Sequence, residues 1–164
     1  MTDVERFTRE LPGFFDDFPR SVEPRDPRFA ELLGAVPGLT KPNNLALLNL
    51  AGACLDPGES YVEAGTFHGT SLIAAILDNE TNDFVAIDNF AMSGASREEL
   101  DANLDRFGLG GTATVLERDI FDVLRDDTLG SSESASSTGT CCTSTSRSST
   151  ACACSSGISP PARS

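Results

Sequence analysis

Apolar positions along residues 42–129 follow two different rhythms. SYVEA (60–64), DFVAID (83–88) and ATVLERD (113–119) are short, largely apolar runs. Between them, apolar residues recur every three or four places. The short runs predict strands of a parallel sheet, apolar on both faces and covered by helices. The spaced residues predict the helices. PNNLALLNLAGACL (42–55) has Pro42 near its start and a stripe of Leu45, Leu47, Leu48, Ala51 and Cys54, the pattern of a core-packed helix. A second helix runs from Gly69 to Leu77 and turns Leu72, Ile73 and Ile76 to the sheet. Ser96-Arg97-Glu98-Glu99 reads as a capping box opening a third, which carries Leu100, Leu104 and Phe107 and stops at Gly108. IFDVLRD begins a fourth after the last strand. Strand and helix alternate three times, and right-handed crossovers make this half of a doubly wound α/β sheet.

Upstream, residues 1–27 are rich in Pro, Phe and charge and predict an irregular arm, and FAELLGAV (29–36) predicts a short helix stopped by Pro37-Gly38. Downstream, residues 130–164 change character. About half are Ser or Thr, and Ile158 is the one large aliphatic residue. Such a segment buries too little apolar surface to offset its ordering entropy and is expected to be disordered. Two origins account for it. One is a Ser/Thr-rich tail. The other is a shifted reading frame in a GC-rich gene. Ser-Thr steps such as Ser137-Thr138, Ser144-Thr145 and Ser149-Thr150, written TCN-ACN, give NAC codons for Tyr, Asp, His or Asn when shifted. Ser-Ser steps give NTC codons for Val, Leu, Ile or Phe in the same phase. The organisation expected is therefore an arm with a short helix (1–41), a partial α/β domain (42–129) and a low-complexity tail (130–164).

Composition narrows the function. A chain of 164 residues has room for one domain, and its formal charge of −13 argues against a nucleic-acid partner, which usually needs a basic stripe. No run approaches the roughly 18 apolar residues of a membrane helix, and MTDVERFTRELPGFF lacks a signal-peptide core, so a cytoplasmic protein is expected. Cys54 reads as a core residue. Cys141, Cys142, Cys152 and Cys154 lack the usual C-x₂₋₄-C zinc spacing and have no histidine nearby, so no metal is expected.

Candidate chemistry lies at the strand ends, because ligands of such sheets bind beyond the carboxyl ends of the strands. Glu63, Gly65, Gly69, Asp88 and Asp119 fall there. The glycines let the chain turn tightly and approach a ligand, and the next helix start offers free N–H groups. In a G-x-G-x-x-G dinucleotide fingerprint the second glycine admits a pyrophosphate; here Phe67 stands in that place and obstructs it. No lysine follows Gly69, which excludes a P-loop. The pattern left, E-x-G-x-x-x-G-T-S, puts an acid before the glycines and suits a cationic ligand. His68, the only histidine, invites a catalytic role, but its place inside the turn favours a structural one.

VEAGTFHGTSL, FVAIDNF and VLERDIFDVL together resemble, in order and interval, the three N-terminal motifs of class I S-adenosylmethionine-dependent methyltransferases, closest to small bacterial members reading EVGTFxGTSL and FVAIDNF. The likeness spans most of residues 42–129. It implies a Rossmann-like sheet, of which only the N-terminal half is represented, and S-adenosyl-L-methionine as cofactor. It further implies that Glu63 contacts the amino end of the methionine moiety, that Gly65 and Gly69 shape the turn beneath the cofactor, and that Asp88 accepts hydrogen bonds from both ribose hydroxyls. Asp119 would bind the exocyclic amine of adenine, Ile120 would pack on the ring, and Asn89 and Phe90 would flank the nucleoside.

In that family the acceptor-side groups usually come from the fourth strand onward, so the resemblance names no catalytic residue here. The acceptor it implies is a small molecule, such as an oxygen on a sugar or secondary metabolite. The family's fourth strand also pairs with the free side of the first. Lacking that strand, residues 60–64 are expected to form an exposed edge, and the truncated chain to bind cofactor weakly or not at all. A non-catalytic fragment and an NAD-type nucleotide binder are the alternatives.

Overall fold

Three parallel strands organise the chain in this computed structural model, which describes residues 3–126 and 129. They are β1 (Ser60–Ala64), β2 (Asp83–Asp88) and β3 (Ala113–Glu117), adjacent in the order β1-β2-β3. The helices are α1 (Val4–Glu10), α2 (Arg28–Ala35), α3 (Pro42–Ala53), α4 (Thr70–Ile76), α5 (Arg97–Arg106) and α6 (Ile120–Arg125), with a 3-10 turn over Leu11–Phe14. The described part is an α/β fold. The expectations for residues 130–164, their disorder and their frame, lie outside the described residues, as do the four cysteines there.

Register explains where the core sits. Tyr61 pairs with Phe84 and Phe84 with Ala113; Glu63 pairs with Ala86 and Ala86 with Val115. Side chains alternate across a strand, so these residues share one face of the sheet, and Val62, Val85, Ile87 and Leu116 share the other. The main core lies on the first face, where Phe84 and Ala86 meet Leu32 of α2, Leu45 of α3, Leu72, Ile73 and Ile76 of α4, and Leu100 and Leu104 of α5. Two crossovers of the same hand, advancing in the same direction, put their helices on the same side. Coverage of both faces, expected from the apolar runs, therefore fails at β1. Val62 is 45% exposed, and β1 alternates exposed with half-buried positions. Its outer edge has no strand partner among the described residues, which leaves backbone groups open to pairing with another chain.

The arm is more ordered than its composition predicts. Asp3 caps α1 by accepting a hydrogen bond from the Arg6 amide at 2.7 Å. The segment is then pinned to the end of α3: the Asp3 amide donates to the Cys54 carbonyl at 3.0 Å, and Arg6 Nη1 donates to the Ala53 carbonyl at 2.5 Å. No residue of α1 is buried, so no apolar stripe announces it. Cys54 is buried, as its place in an apolar stripe predicts.

α3 and α4 approach closely. Asn49 Nδ2 donates to the carbonyls of Ala74 (2.9 Å) and Leu77 (2.7 Å), satisfying acceptors that the end of α4 leaves without partners. Gly52 makes the approach feasible, since a Cβ there would meet the Ala75 carbonyl oxygen at 2.6 Å. Backbone cannot swing aside as a side chain would. Gly52→Ala is expected to cost about 1–3 kcal/mol. Gly34→Ala, in α2 with open space around it, is expected to gain about 0.5–1 kcal/mol by restricting the unfolded chain. Urea unfolding of both variants checks the pair; equal effects of one sign would contradict the close α3–α4 crossing.

Candidate functional site

β1, β2 and β3 run parallel, so their carboxyl ends open on one edge of the sheet. The chain leaves β1 through a turn that Gly65 enters at φ +81° and Gly69 leaves at φ +89°. Gly69 then caps α4 and sits against Leu100, whose Cδ1 a Cβ would meet at 2.5 Å. Its role is therefore turn geometry and packing, and it lines neither hollow described below.

Asp88, at the end of β2, ties this edge together. Its Oδ2 accepts a hydrogen bond from the Phe67 amide at 2.8 Å, and its Oδ1 accepts one from the Phe90 amide at 2.7 Å. Phe67 and Phe90 both adopt left-handed backbone, at φ +53° and +49°. One carboxylate thus holds the β1–α4 turn and the β2–α5 loop in conformations that bulky residues rarely take. A carboxylate has about four acceptor positions, so two remain for a ligand.

Two hollows flank Gly65. The first, about 120 Å³, is lined by Asp88, Asn89, Arg118, Asp119 and Ile120. Asp119 is the N-cap of α6, accepting from the Phe121 amide at 2.9 Å, and its other oxygen accepts from Asn89 Nδ2 at 3.2 Å. Asp122, three residues on, pairs with Arg125 at 2.5 Å. The second hollow, about 160 Å³, is lined by Thr40, Thr66, Phe67, His68, Ser71 and Met92 among others. The sequence pattern marks Ser71, as the serine that follows the glycine turn, but gives no signal for Thr40 or Met92, which arrive from other loops.

Glu63 lies on the helix-covered face of β1 and lines neither hollow. Ser71 Oγ donates to its Oε1 at 2.9 Å and Tyr61 OH to its Oε2 at 3.0 Å. Burial raises the Glu63 carboxyl above its ordinary value, and the bonds from Ser71 and Tyr61 oppose that rise. Burial likewise raises the Tyr61 hydroxyl, with the Glu63 charge adding to it. The reach from Glu63 to a ligand runs through Ser71, which contacts both the acid and the hollow.

His68 has a structural explanation. Its Nε2 lies 2.8 Å from the Gly94 carbonyl and 3.4 Å from the Glu99 carboxylate, and its ring stacks on Phe67 with centroids 3.7 Å apart. It joins the turn to the β2–α5 loop. Glu99 faces His68 while its amide bonds Ser96 Oγ at 3.0 Å, the forward half of the expected capping box. No group of three or more His, Cys, Asp or Glu side chains among the described residues is placed to hold a metal ion.

The structure thus brings Gly65, Asp88, Asn89, Asp119 and Ile120 to one hollow, with Glu63 beneath its neighbour and Gly69 behind the turn. No family model, curated protein or solved structure matches this chain.

Glu63 makes the site's acidity measurable. Its folded carboxyl keeps its proton at pH values where the unfolded chain, near the ordinary value of about 4.3, has lost it. The stability from this protonation is fully present below that value and is lost as pH rises through the folded value. The unfolding free energy of the parent chain, minus that of Glu63→Gln, is expected to fall as pH rises from about 4. Urea titrations at a series of pH values test this, and a difference that rises with pH would show that burial does not dominate at Glu63.

Proposed function

We propose that this chain carries the cofactor-binding half of a small-molecule methyltransferase that uses S-adenosyl-L-methionine. The observation that carries the reading is the convergence of Asp88, Asn89, Asp119 and Ile120 on one hollow beside the Gly65 turn. Asp88 has acceptor positions free for two ribose hydroxyls, Asp119 has one for the adenine amine, and Ile120 offers an apolar surface to the ring. The sulfonium and amino end would extend past Gly65 toward Ser71, with Glu63 beneath. Acids at this edge favour a cationic ligand over a phosphorylated one. In methyl transfer the carbon–sulfur bond breaks with its electron pair going to sulfur, while the acceptor oxygen forms a bond to the methyl carbon and releases its proton to solvent. The protein's part in such a displacement is mainly alignment and exclusion of water.

Affinity is expected to be weak. Hollows of about 120 and 160 Å³ are shallow beside the ≈ 300–1,000 Å³ of typical ligand sites. Among the described residues no strand pairs with the outer edge of β1, so they supply no wall on that side of the groove. No described helix is long and apolar enough to cross a membrane; a cytoplasmic setting accompanies this reading.

Titration of ¹⁵N-labelled chain with S-adenosylmethionine is expected to move the amides of Gly65, Asn89 and Asp119 saturably, with a dissociation constant of about 0.1–10 mM. Asp119→Asn keeps a competent helix cap while removing a charge, and is expected to weaken binding several-fold. NAD at the same concentrations should leave these amides in place. No saturable response to S-adenosylmethionine, or a stronger response to NAD, would defeat the proposal, and micromolar affinity would defeat the expected weakness.

A further inference from the structure

A third hollow, of about 380 Å³, lies at the other edge of the sheet from the strand-end groove. Leu77 ends α4 ahead of β2, and Phe107 ends α5 ahead of β3, so both stand toward the amino ends of the strands. With Leu32 and Ala35 of α2 they give the hollow an apolar floor packed on the core. Its volume falls within the ≈ 300–1,000 Å³ of typical small-molecule sites, which neither strand-end hollow reaches.

Three charged side chains line it: Arg28, Glu31 and Arg106. Arg28 is already neutralised, by Asp26 at 2.8 Å and Asp78 at 2.6 Å. Glu31 and Arg106 are not. Neither has an ion-pair partner among the described residues, and they do not pair with each other. Arg106 Nη1 donates to the Ala35 carbonyl at 3.2 Å, which ties the guanidinium to the end of α2 and leaves its other donors for a ligand. Ala35 lies one helical turn beyond Glu31, so the anion and the tethered cation border the same face of α2.

We propose that this hollow binds an apolar α-amino acid as its zwitterion, with the carboxylate on Arg106, the ammonium on Glu31 and the side chain over Leu32, Leu77 and Phe107. The planar fork of a guanidinium suits a carboxylate. A carboxylate without an ammonium would face Glu31 and the partial negative charge at the carboxyl ends of α2 and α5. An amine without a carboxylate would face Arg106. The hollow shares no lining residue with the strand-end groove, so this site stands apart from the methyltransferase reading.

The test titrates the ¹⁵N-labelled chain with L-phenylalanine, with hydrocinnamate, which lacks the ammonium, and with phenethylamine, which lacks the carboxylate. L-Phenylalanine is expected to shift the amides of Ala35, Leu77 and Phe107 saturably while those of Gly65 and Asp119 stay in place. An exposed charge pair is worth about two- to fivefold, so each partial analogue should bind more weakly by that factor. Glu31→Gln, at an exposed position of α2, should weaken L-phenylalanine about two- to fivefold and strengthen hydrocinnamate. A merely structural effect would move both ligands the same way. No saturable response to L-phenylalanine, a response confined to Gly65 and Asp119, equal or tighter binding of either analogue, or parallel effects of Glu31→Gln on the two ligands would overturn the site.

Discussion

One carboxylate, that of Asp88, holds the strand-end site in shape. It receives the Phe67 amide from one loop and the Phe90 amide from the next. Both residues sit in left-handed backbone that a bulky side chain enters only at an energetic cost. Charge-assisted hydrogen bonds are about twice as strong as neutral ones, so a single acid offsets strain on both sides. The two hollows beside Gly65, the position of His68 and the placement of Met92 all follow from these loops being held. An acid at this point thus has two uses, fastening the backbone and leaving acceptor positions turned to the groove.

The sheet gives that site a firm floor and an open flank. α2 through α5 bury one face around Phe84 and Ala86, and α4 is buried from Leu72 to Ile76. The other face keeps Val62 in water, and α6 exposes Phe121 and Leu124 while burying Val123. Rigidity on one side fixes where Gly65 and Asp88 sit; exposure on the other limits how deeply any ligand is enclosed. The weak cofactor binding proposed above and the preformed strand-end edge both trace to the same one-sided packing.

Polarity is divided along the groove in a way that matches the functional reading. The hollow with Asp88 and Asp119 favours hydrogen-bond donors and positive charge. The hollow with Thr40, Thr66, His68 and Ser71 has no carboxylate in its lining. Glu63, half-buried, lies under the second and reaches it through a serine hydroxyl.

The sequence by itself determined the strands and their helices. β1 and β2 fall on the residues that the apolar runs predict, and α3 starts at Pro42. Local chemistry suffices there, because strand and helix periods and turn residues are written in neighbouring positions. It also brought Asp88 and Asp119 forward together, since strand ends in a parallel sheet share an edge; Asn89 and Ile120 came forward only through the family resemblance. Tertiary structure alone decided the rest. Whether Glu63 faced the groove or the helices depended on the strand's facing, and the helices won. α1 exists because Asp3 and Arg6 meet the end of α3, a contact that no periodicity announces. Thr40 and Met92 reach one hollow because two loops are fastened by bonds to residues far along the chain. Such long-range contacts set which side chains share a hollow, and a linear pattern carries no measure of them.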